Sequence, residues 1–228
     1  MAAEPSISAV VPVRNGERFL ARALESIARQ HLAPSEILVV DGHSTDATES
    51  IARPFPGVSF LVQAGQGIAD AYNHGIANAR GDVVAFLSCD DEWTPDKLST
   101  QAGYLRANPA VMAVRAHARY VLEPGFAIPP GFQRKLLEGA HPGAMETLVA
   151  RREIFRTVGW FDSRFTTGED LDWVARARDL GVSMATLPDV LLIKHIHDAN
   201  ISLQSPANDR FLLTLLRESI ARKQGRPL

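Results

Sequence analysis

Asp82-Val-Val-Ala-Phe-Leu-Ser-Cys-Asp-Asp91 has the pattern of a buried strand that ends in two carboxylates. The five apolar residues 83–87 are typical of a strand covered on both faces of a parallel sheet. Ligands of open α/β sheets bind at the carboxyl ends of the strands, which is where Asp90 and Asp91 lie. Two adjacent like charges at such a place indicate a compensating cation or a polar ligand. The alternative is that they only solvate the end of the strand.

The composition of the 228 residues is that of an ordinary globular protein, with 46% apolar and 22% charged residues. The formal charge of −2 and the lack of a basic tract argue against nucleic acid as a partner. The single cysteine, Cys89, precludes an intramolecular disulfide and fits a reducing compartment. Neither a signal sequence nor a transmembrane segment is predicted. We therefore expect a cytoplasmic protein, at most peripheral at the inner face of the membrane.

Strands and helices alternate through residues 1–105. Leu20, Leu24 and Ile27 recur at helical spacing, and residues 68–79 carry the clearest apolar helical stripe of the chain. A further helix is predicted to begin with Thr94 as its N-cap and Pro95 at its first position. Besides 83–87, the predicted strands here are Ile7–Val13, Glu36–Asp41 and Val58–Val62. The alternation predicts an α/β fold with a doubly wound parallel sheet and right-handed crossovers.

Polar groups follow three of these strands, as Arg14-Asn15, Asp41 and the pair Asp90-Asp91. Because the carboxyl ends of parallel strands meet at one edge of the sheet, we expect these groups to line one crevice. Arg14 could contact a phosphate there or simply be solvated.

The pattern changes after about residue 110. A Pro/Gly-rich loop at 123–131 is of the kind that covers or borders a site. Around it, strands are predicted at 111–121, 145–150 and 182–193, a short helix ends near Val158, a turn follows at 159–162, and helices begin near Thr166 and at Asn208. The carboxylates Glu169 and Asp170 could simply favour the dipole at the start of a helix, an effect of about 0.3–1 kcal/mol each.

The last helix has an apolar stripe followed by basic residues. The stripe consists of Phe211, Leu212, Leu215 and Leu216, and the basic residues are Arg217, Arg222, Lys223 and Arg226. Three roles fit residues 208–222: contact with anionic lipid, packing on the body of the protein, or a homodimer contact. Packing or dimerisation is favoured because the stripe is short.

Seven short segments in fixed order resemble those of the family 2 glycosyltransferases, which are inverting, nucleotide-sugar-dependent enzymes of the GT-A fold. They are Val11-Pro-Val-Arg-Asn15, Val39-Val-Asp-Gly-His-Ser-Thr-Asp46, Gly67-Ile-Ala-Asp-Ala-Tyr-Asn73 with Gly75, Phe86-Leu-Ser-Cys-Asp-Asp91, Trp160-Phe-Asp162, Gly168-Glu-Asp170, and His197 with Asn200 and Ser202. Each segment is weak evidence alone, but the order of all seven is specific.

The resemblance implies a GT-A-like α/β fold with a mostly parallel, doubly wound sheet. It implies one glycosyltransferase domain over residues 1–206, in which 1–109 bind the nucleotide sugar and 110–206 form the smaller acceptor side. Residues 207–228 would be a helical tail.

On the donor side, the resemblance implies a nucleoside-diphosphate sugar bound by the ends of the first four strands. Asp41 resembles the acid that contacts the base, and Asp90 resembles a residue that lies near the ribose and the metal in the family. The residues implied in nucleotide-sugar binding are Pro12, Val13, Asn15, Asp41, Ser44, Gln66, Gly67, Asp70, Asn73 and Asp90.

A divalent cation, Mn²⁺ or Mg²⁺, is implied because the leaving diphosphate carries two negative charges that must be neutralised. Asp91 resembles the metal carboxylate, and His197 resembles a late histidine that approaches the metal or the diphosphate. The alternative for His197 is a polar surface histidine. Ser88 stands where the family often has an acid, so the expected metal affinity is modest.

On the acceptor side, the Glu169-Asp170 pair resembles the acidic motif of the family, with Asp170 as the general base. A single in-line displacement by an acceptor hydroxyl then inverts the configuration of the sugar. The acceptor could be a saccharide, a lipid-linked saccharide or another hydroxyl compound.

Two other functions compete with a glycosyltransferase. A sugar-phosphate nucleotidylyltransferase would carry a Gly-rich, Arg/Lys-bearing loop after the first strand, but residues 12–17 contain a single glycine. A catalytically inactive nucleotide-sugar-binding partner or regulator could keep the crevice, although the presence of Asp170 argues against it.

Overall fold

Four parallel strands in the order β3-β2-β1-β4 form the first part of the sheet in the computed structural model, which describes residues 4–129, 132–198, 200 and 208–224. The strands are β1 (Ile7–Val13), β2 (Glu36–Asp41), β3 (Val58–Val62) and β4 (Val83–Phe86), and the helices of this part are α1 (Leu20–Ala28), α2 (Thr48–Ala52) and α3 (Ile68–Asn78). Every residue of β1, β2 and β4 is buried, as expected for strands covered on both faces. The α/β fold is confirmed.

The second half of the chain extends the same sheet. From β4 the order continues β8-β6-β9-β5, with antiparallel pairs except for the parallel pair β6–β9, and β7 pairs with β6. The elements are β5 (Glu92–Trp93), α4 (Lys97–Ala107), β6 (Ala113–Leu122), β7 (His141–Pro142), β8 (Val149–Arg151), α5 (Ile154–Val158), α6 (Glu169–Asp179), β9 (Met184–Ile196) and α7 (Asn208–Lys223), with short 3₁₀ helices at Arg134–Leu137 and Met145–Thr147.

The short strand β5 decides what lies beside the acidic pair. Glu92 pairs with Ile193 and Trp93 with Leu192 in antiparallel register. Residues 90 and 91, which precede β5, therefore lie next to residues 194–197 at the end of β9. Two residues are too few for a recognisable strand pattern, so the sequence did not predict this pairing.

Two local predictions are wrong. Thr94 is not a helix cap, because α4 begins at Lys97 with Asp96 as its N-cap residue, and the carbonyl of Thr94 accepts a bond from the Lys97 amide in a preceding turn. The predicted strand at 145–150 begins instead as a 3₁₀ turn and becomes extended only at β8. The amide of Thr147 bonds to the carbonyl of Ala144, which closes that turn.

Helix α3 lies close against β1 and joins the two halves of the molecule. A methyl group at Gly75 would lie only 2.4 Å from Cγ1 of Val10, so this approach requires glycine. One turn before Gly75 in the same helix, the ring of Tyr72 contacts Phe86 of β4 and Phe161. The ring of Phe161 in turn stacks on Trp173 of α6. This aromatic core fixes α6 relative to the parallel strands.

Helix α7 packs on α6. Leu215 is buried, and the guanidinium of Arg222 lies 3.1 Å from Asp179 of α6, whereas Leu216 is 60% exposed. Packing on the body is therefore observed for part of the predicted stripe, while the side chains of Phe211 and Leu212, and Arg226, lie outside the described residues. Within the described part of the chain, no helix has both the length and the apolar character needed to cross a membrane. A cytoplasmic location, a dimer contact and a lipid contact stay predictions.

Candidate active site

Hydrogen bonds join the loops that follow β1 and β2 and orient Asp41 at the end of β2. The amide of Asn15 donates to Oγ of Ser44 (2.7 Å), and the side-chain carbonyl of Asn15 accepts from the amide of Thr45 (2.9 Å). The amide of Ser44 in turn donates to Oδ2 of Asp41 (3.0 Å). Asn15 adopts a φ of 51°, a left-handed conformation that asparagine tolerates. These three predicted site residues therefore do lie together, and Asp41 is held in one orientation.

A cleft of about 390 Å³ opens beside Asp41 at the ends of β2 and β3. Phe60 and Val62 form its apolar side, and the polar side consists of Asp41, His43, Ser44, Thr45, Asp46 and Glu49. Asp41 is only 4% exposed, and its Oδ1 has no hydrogen-bond partner within the described residues. An unpaired buried acceptor is costly. The cleft therefore suits a planar ring that brings an N–H donor to Asp41.

Five of the other residues predicted to bind the nucleotide sugar lie in β1 or around the start of α3. Pro12 and Val13 are buried in β1, where the carbonyl of Val13 accepts from the Gly42 amide (2.7 Å). Gln66 and Gly67 are exposed at the start of α3. Asp70 accepts a hydrogen bond from the Gln66 amide (3.0 Å) and so shapes that loop.

Asn73 is engaged away from the cleft. Its amide nitrogen donates to the carbonyl of Phe161 (2.8 Å), and its amide oxygen accepts from the Phe161 amide (2.9 Å). These reciprocal bonds tie α3 to the segment that leads into α6. In this geometry Asn73 supports that segment. The sequence had led us to expect that Asn73 would contact the nucleotide sugar.

Asp90 is held by residues that follow β9. Its Oδ2 accepts from the side-chain amide of Asn200 (3.1 Å) and lies 3.1 Å from Nε2 of His197. Burial alone would raise the pKa of Asp90, but the hydrogen bond from His197 and the charge of Lys194 lower it below its usual value. His197 is 2% exposed and stacks on Phe19, with ring centroids 4.3 Å apart. The alternative interpretation of His197, as a polar histidine on the surface, is therefore wrong.

Asp91 does not face the crevice as the sequence suggested. Its side chain is fully buried, with Oδ2 2.9 Å from Nζ of Lys194 and Oδ1 accepting from the amide of His195 (3.0 Å). Burial raises the pKa of Asp91 above its usual value, and the charge of Lys194 opposes that rise. A metal ion would have to displace the lysine to reach this carboxylate, so Asp91 fits a structural role better than the predicted metal ligand.

Lys194 also contacts Glu146, which lies on the 3₁₀ turn before β8. The ammonium is 3.1 Å from Oε1 of Glu146, and the same oxygen accepts from the hydroxyl of Ser88 (2.9 Å). The sequence analysis identified neither Lys194 nor Glu146. The available signal was a charged residue inside an otherwise apolar run, as in Leu191-Leu-Ile-Lys194.

Glu169 and Asp170 begin α6 and have unusual acidities. Burial and the charge of Asp170 raise the pKa of Glu169 to about 8. Burial and the charge of Glu146 raise the pKa of Asp170. A pair that only stabilised the helix dipole would be solvated, with ordinary pKa values. Raised pKa values are found in acid–base groups of active sites.

The start of α6 is fixed by the segment that precedes it. Gly168 adopts a left-handed φ of 79° immediately before Glu169. Arg176 bonds to Asp172 within the helix (2.8 Å) and to the carbonyls of Val158 and Trp160. These contacts hold the acidic pair in place without using its own carboxylates.

The fit of a divalent cation can be judged from Asp90 and His197. No group of three or more His, Cys, Asp or Glu side chains converges on a metal position among the residues that the structure describes. Mg²⁺ and Mn²⁺ at phosphate sites, however, need only one or two protein ligands, because substrate phosphates and water supply the others. The ionised Asp90 with His197 beside it fits this requirement, whereas Asp91 does not.

The model of the family described as "Glycosyl transferase family 2" matches residues 8–156, which is more than half of the chain. The chain belongs to glycosyl transferase family 2. It is 28% identical over 217 residues to an uncharacterised glycosyltransferase of Rickettsia typhi, covering 86% of this chain and 65% of that protein. The chain therefore spans slightly less than two thirds of the length of this family member.

Two solved structures share the fold. The S. aureus TarS structure in complex with UDP-GlcNAc superposes with a TM-score of 0.77 at 18% identity, covering 98% of this chain and 68% of TarS. The mannosyltransferase PcManGT from Pyrobaculum calidifontis, in complex with GDP-Man and Mn²⁺, gives a TM-score of 0.72 at 22% identity, covering 96% of this chain and 65% of that one. At these identities the likeness establishes the fold of this family 2 chain.

Proposed function

We propose that the chain is an inverting glycosyltransferase that transfers a sugar from a nucleoside-diphosphate sugar to an acceptor hydroxyl. The observation that carries this proposal is a pair of acidic groups of opposite character that the charge of Lys194 reaches. Asp90 has a lowered pKa and follows the end of β4, whereas Asp170 has a raised pKa and lies at the start of α6. The charge of Lys194 acts on both carboxylates, which supports their proximity.

The donor is proposed to bind with its base in the cleft beside Asp41 and its diphosphate near Asp90. The unpartnered Oδ1 of Asp41 would accept an N–H of the base. The two solved relatives were obtained with UDP-GlcNAc and with GDP-Man, which supports a nucleoside-diphosphate sugar as the donor class. Residues 1–109 are thus proposed as the donor half of the domain 1–206, and 110–206 as the acceptor half.

Asp90 is proposed to hold a divalent cation, and His197 is proposed to orient its carboxylate. When bound, such an ion neutralises the charge that develops on the leaving diphosphate. His197 and Asn200 keep the carboxylate of Asp90 ionised and oriented through the contacts described above. Lys194 and Asp91 support the strand ends behind it.

Asp170 is proposed to take the proton of the acceptor hydroxyl. A carboxylate with a raised pKa is a stronger base than an ordinary aspartate. A base in this role stands on the face of the sugar opposite the diphosphate, so the displacement inverts the anomeric configuration.

The pH dependence of transfer should reflect this base. Because Asp170 acts unprotonated and its pKa is raised, activity should be lost, as the pH falls, at a higher pH than for an ordinary aspartate of pKa about 3.9. The profile of kcat/KM against pH reports this group in the free enzyme. Glu146→Gln removes a charge that raises the pKa of Asp170. In this variant, the fall of kcat/KM on the acid side of the pH profile should therefore occur at a lower pH. An acid limb at about pH 4 in the wild type would contradict the assignment.

Metal dependence should follow Asp90 and not Asp91. The wild type should bind UDP or GDP more tightly with Mn²⁺ than without it. Asp90→Asn should reduce this ratio of affinities at least about tenfold. Asp91→Asn is the matched neighbour and should retain the gain, because its carboxylate contacts Lys194 and not the crevice. Calorimetric titration of the three proteins measures this. Loss of the gain only in Asp91→Asn would restore the assignment made from the sequence.

Release of free nucleoside diphosphate from a panel of nucleotide sugars tests the proposed function itself. A glycosyltransferase releases it from at least one donor, to an acceptor or to water. A nucleotide-sugar-binding partner without activity binds the same donor and releases none.

A further inference from the structure

Glu146 has one oxygen that is satisfied and one that is not. Oε1 receives both the hydroxyl of Ser88 and the ammonium of Lys194. Oε2 is buried and has no hydrogen-bond partner in the part of the chain that the structure describes. A carboxylate oxygen can accept about two hydrogen bonds, and leaving a buried one without a donor is costly.

Glu146 nevertheless keeps its charge. Burial alone would raise the pKa of Glu146, but the charge of Lys194, the residue's own backbone amide and the Ser88 hydroxyl lower it below its usual value. The free oxygen is therefore part of an ionised group, which is a stronger acceptor than a neutral one.

Glu146 is linked to groups on both the proposed donor side and the proposed acceptor side. Its hydrogen-bond partner Lys194 also contacts Asp91, the residue next to Asp90. Its negative charge also acts on Asp170 and Glu169 at the start of α6. In a single displacement, the transferred sugar occupies the space between the leaving phosphate and the base.

We propose that Oε2 of Glu146 binds a hydroxyl of the sugar that is transferred, and that Lys194 and Ser88 hold the carboxylate in position for it. This inference rests on the proposed function. An acceptor saccharide offers the same hydroxyl chemistry, and the experiment distinguishes the two sources.

Glu146→Gln tests the proposal because it keeps the size of the side chain and removes its charge. The probes are UDP-GlcNAc and GDP-mannose, compared with UDP and GDP, which lack the sugar. For the nucleotide sugar that the wild type binds, the affinity should fall about 10- to 100-fold, the effect of a hydrogen bond to a charged group. The affinity for the matching nucleoside diphosphate should change less than about twofold.

Two further measurements sharpen this test. Glu146→Asp keeps the charge and the neutralisation of Lys194 but withdraws the oxygen, so it should fold normally and lose the same sugar affinity. A deoxy nucleotide sugar that lacks the bonded hydroxyl should bind the wild type more weakly than the complete nucleotide sugar does. Glu146→Gln should bind both compounds equally well, because the substitution and the deoxy change remove the same interaction.

Each outcome decides something. An unchanged nucleotide-sugar affinity with a raised KM for the acceptor assigns the bonded hydroxyl to the acceptor. No change in either quantity, or an equal loss for the nucleoside diphosphate, overturns the proposal and leaves Glu146 as part of the frame around Lys194. A wild type that binds no nucleotide sugar of a wider panel would refute the proposed function together with the inference.

Discussion

Asp170→Asn should lower sugar transfer by about 10²–10⁴-fold, the usual contribution of a general base. Asparagine keeps the size of the side chain and can still accept the hydrogen bond that the Leu171 amide donates to Oδ1 of Asp170 (2.8 Å). It cannot accept a proton from the acceptor hydroxyl. Affinity for the nucleoside diphosphate should change little, because the proposed diphosphate position lies near Asp90. Single-turnover transfer and calorimetry measure the two quantities separately.

Glu169→Gln is the matched control for this prediction. Burial and the charge of Asp170 raise the pKa of Glu169 to about 8, so its side chain is mostly protonated at pH 7. Glutamine resembles that neutral form, and the variant should lose much less activity than Asp170→Asn. The assignment of the base is wrong if the two variants lose equal activity, or if Asp170→Asn also abolishes nucleotide binding.

Lys194→Met should lower the free energy of unfolding by about 3–5 kcal/mol, the cost of removing one partner from a buried ion pair. The ammonium lies between Asp91 and Glu146, both of which are buried, so its loss leaves two carboxylates without a counter-charge. The charges of these acids raise the pKa of Lys194 well above its usual value although burial opposes them. Its stabilising contribution is therefore fully present below the pKa of an unfolded lysine, about 10.4, which includes neutral pH.

The loss of stability in Lys194→Met should shrink as the pH falls, because protonation removes the uncompensated charges of Asp91 and Glu146. Lys97→Met is the control. Lys97 is also fully buried, but its amine donates to Gln101 (2.7 Å) and lies over the ring of Trp93 (4.8 Å), so no carboxylate loses a hydrogen-bonded partner. Burial lowers the pKa of Lys97 well below its usual value, although the charge of Glu146 opposes this. Urea unfolding of both variants at several pH values measures the difference. Equal losses would show that the ion pair contributes nothing specific.

The sequence predicted the parallel half of the fold closely because its signals are local. β1, β2 and β3 have the predicted bounds, and each is an apolar run followed by polar or turn residues. The short strand β5 was missed because its two residues become extended only by pairing with β9. Thr94 was mistaken for a cap because a threonine before proline has the same local pattern in a turn as at a helix start.

The candidate site was predicted in part for the same reason. Asp41, Asn15 and Ser44 lie in neighbouring loops as expected, since strand ends meet at one edge of the sheet. The orientation of Asp91 depends on Lys194, which lies 103 positions further along the chain. Two adjacent acids look equivalent in sequence, and only the pairing of β5 with β9 directs Asp91 inward.

The anomeric configuration of the first-formed product tests the central claim most directly. UDP-GlcNAc and GDP-mannose carry the sugar in α linkage, and nuclear magnetic resonance distinguishes the product anomers before they equilibrate. A single displacement with Asp170 as base predicts a β-linked product, or β-configured free sugar when water is the acceptor. An α-configured first product would contradict the account, because the base and the diphosphate could not then stand on opposite faces of the sugar.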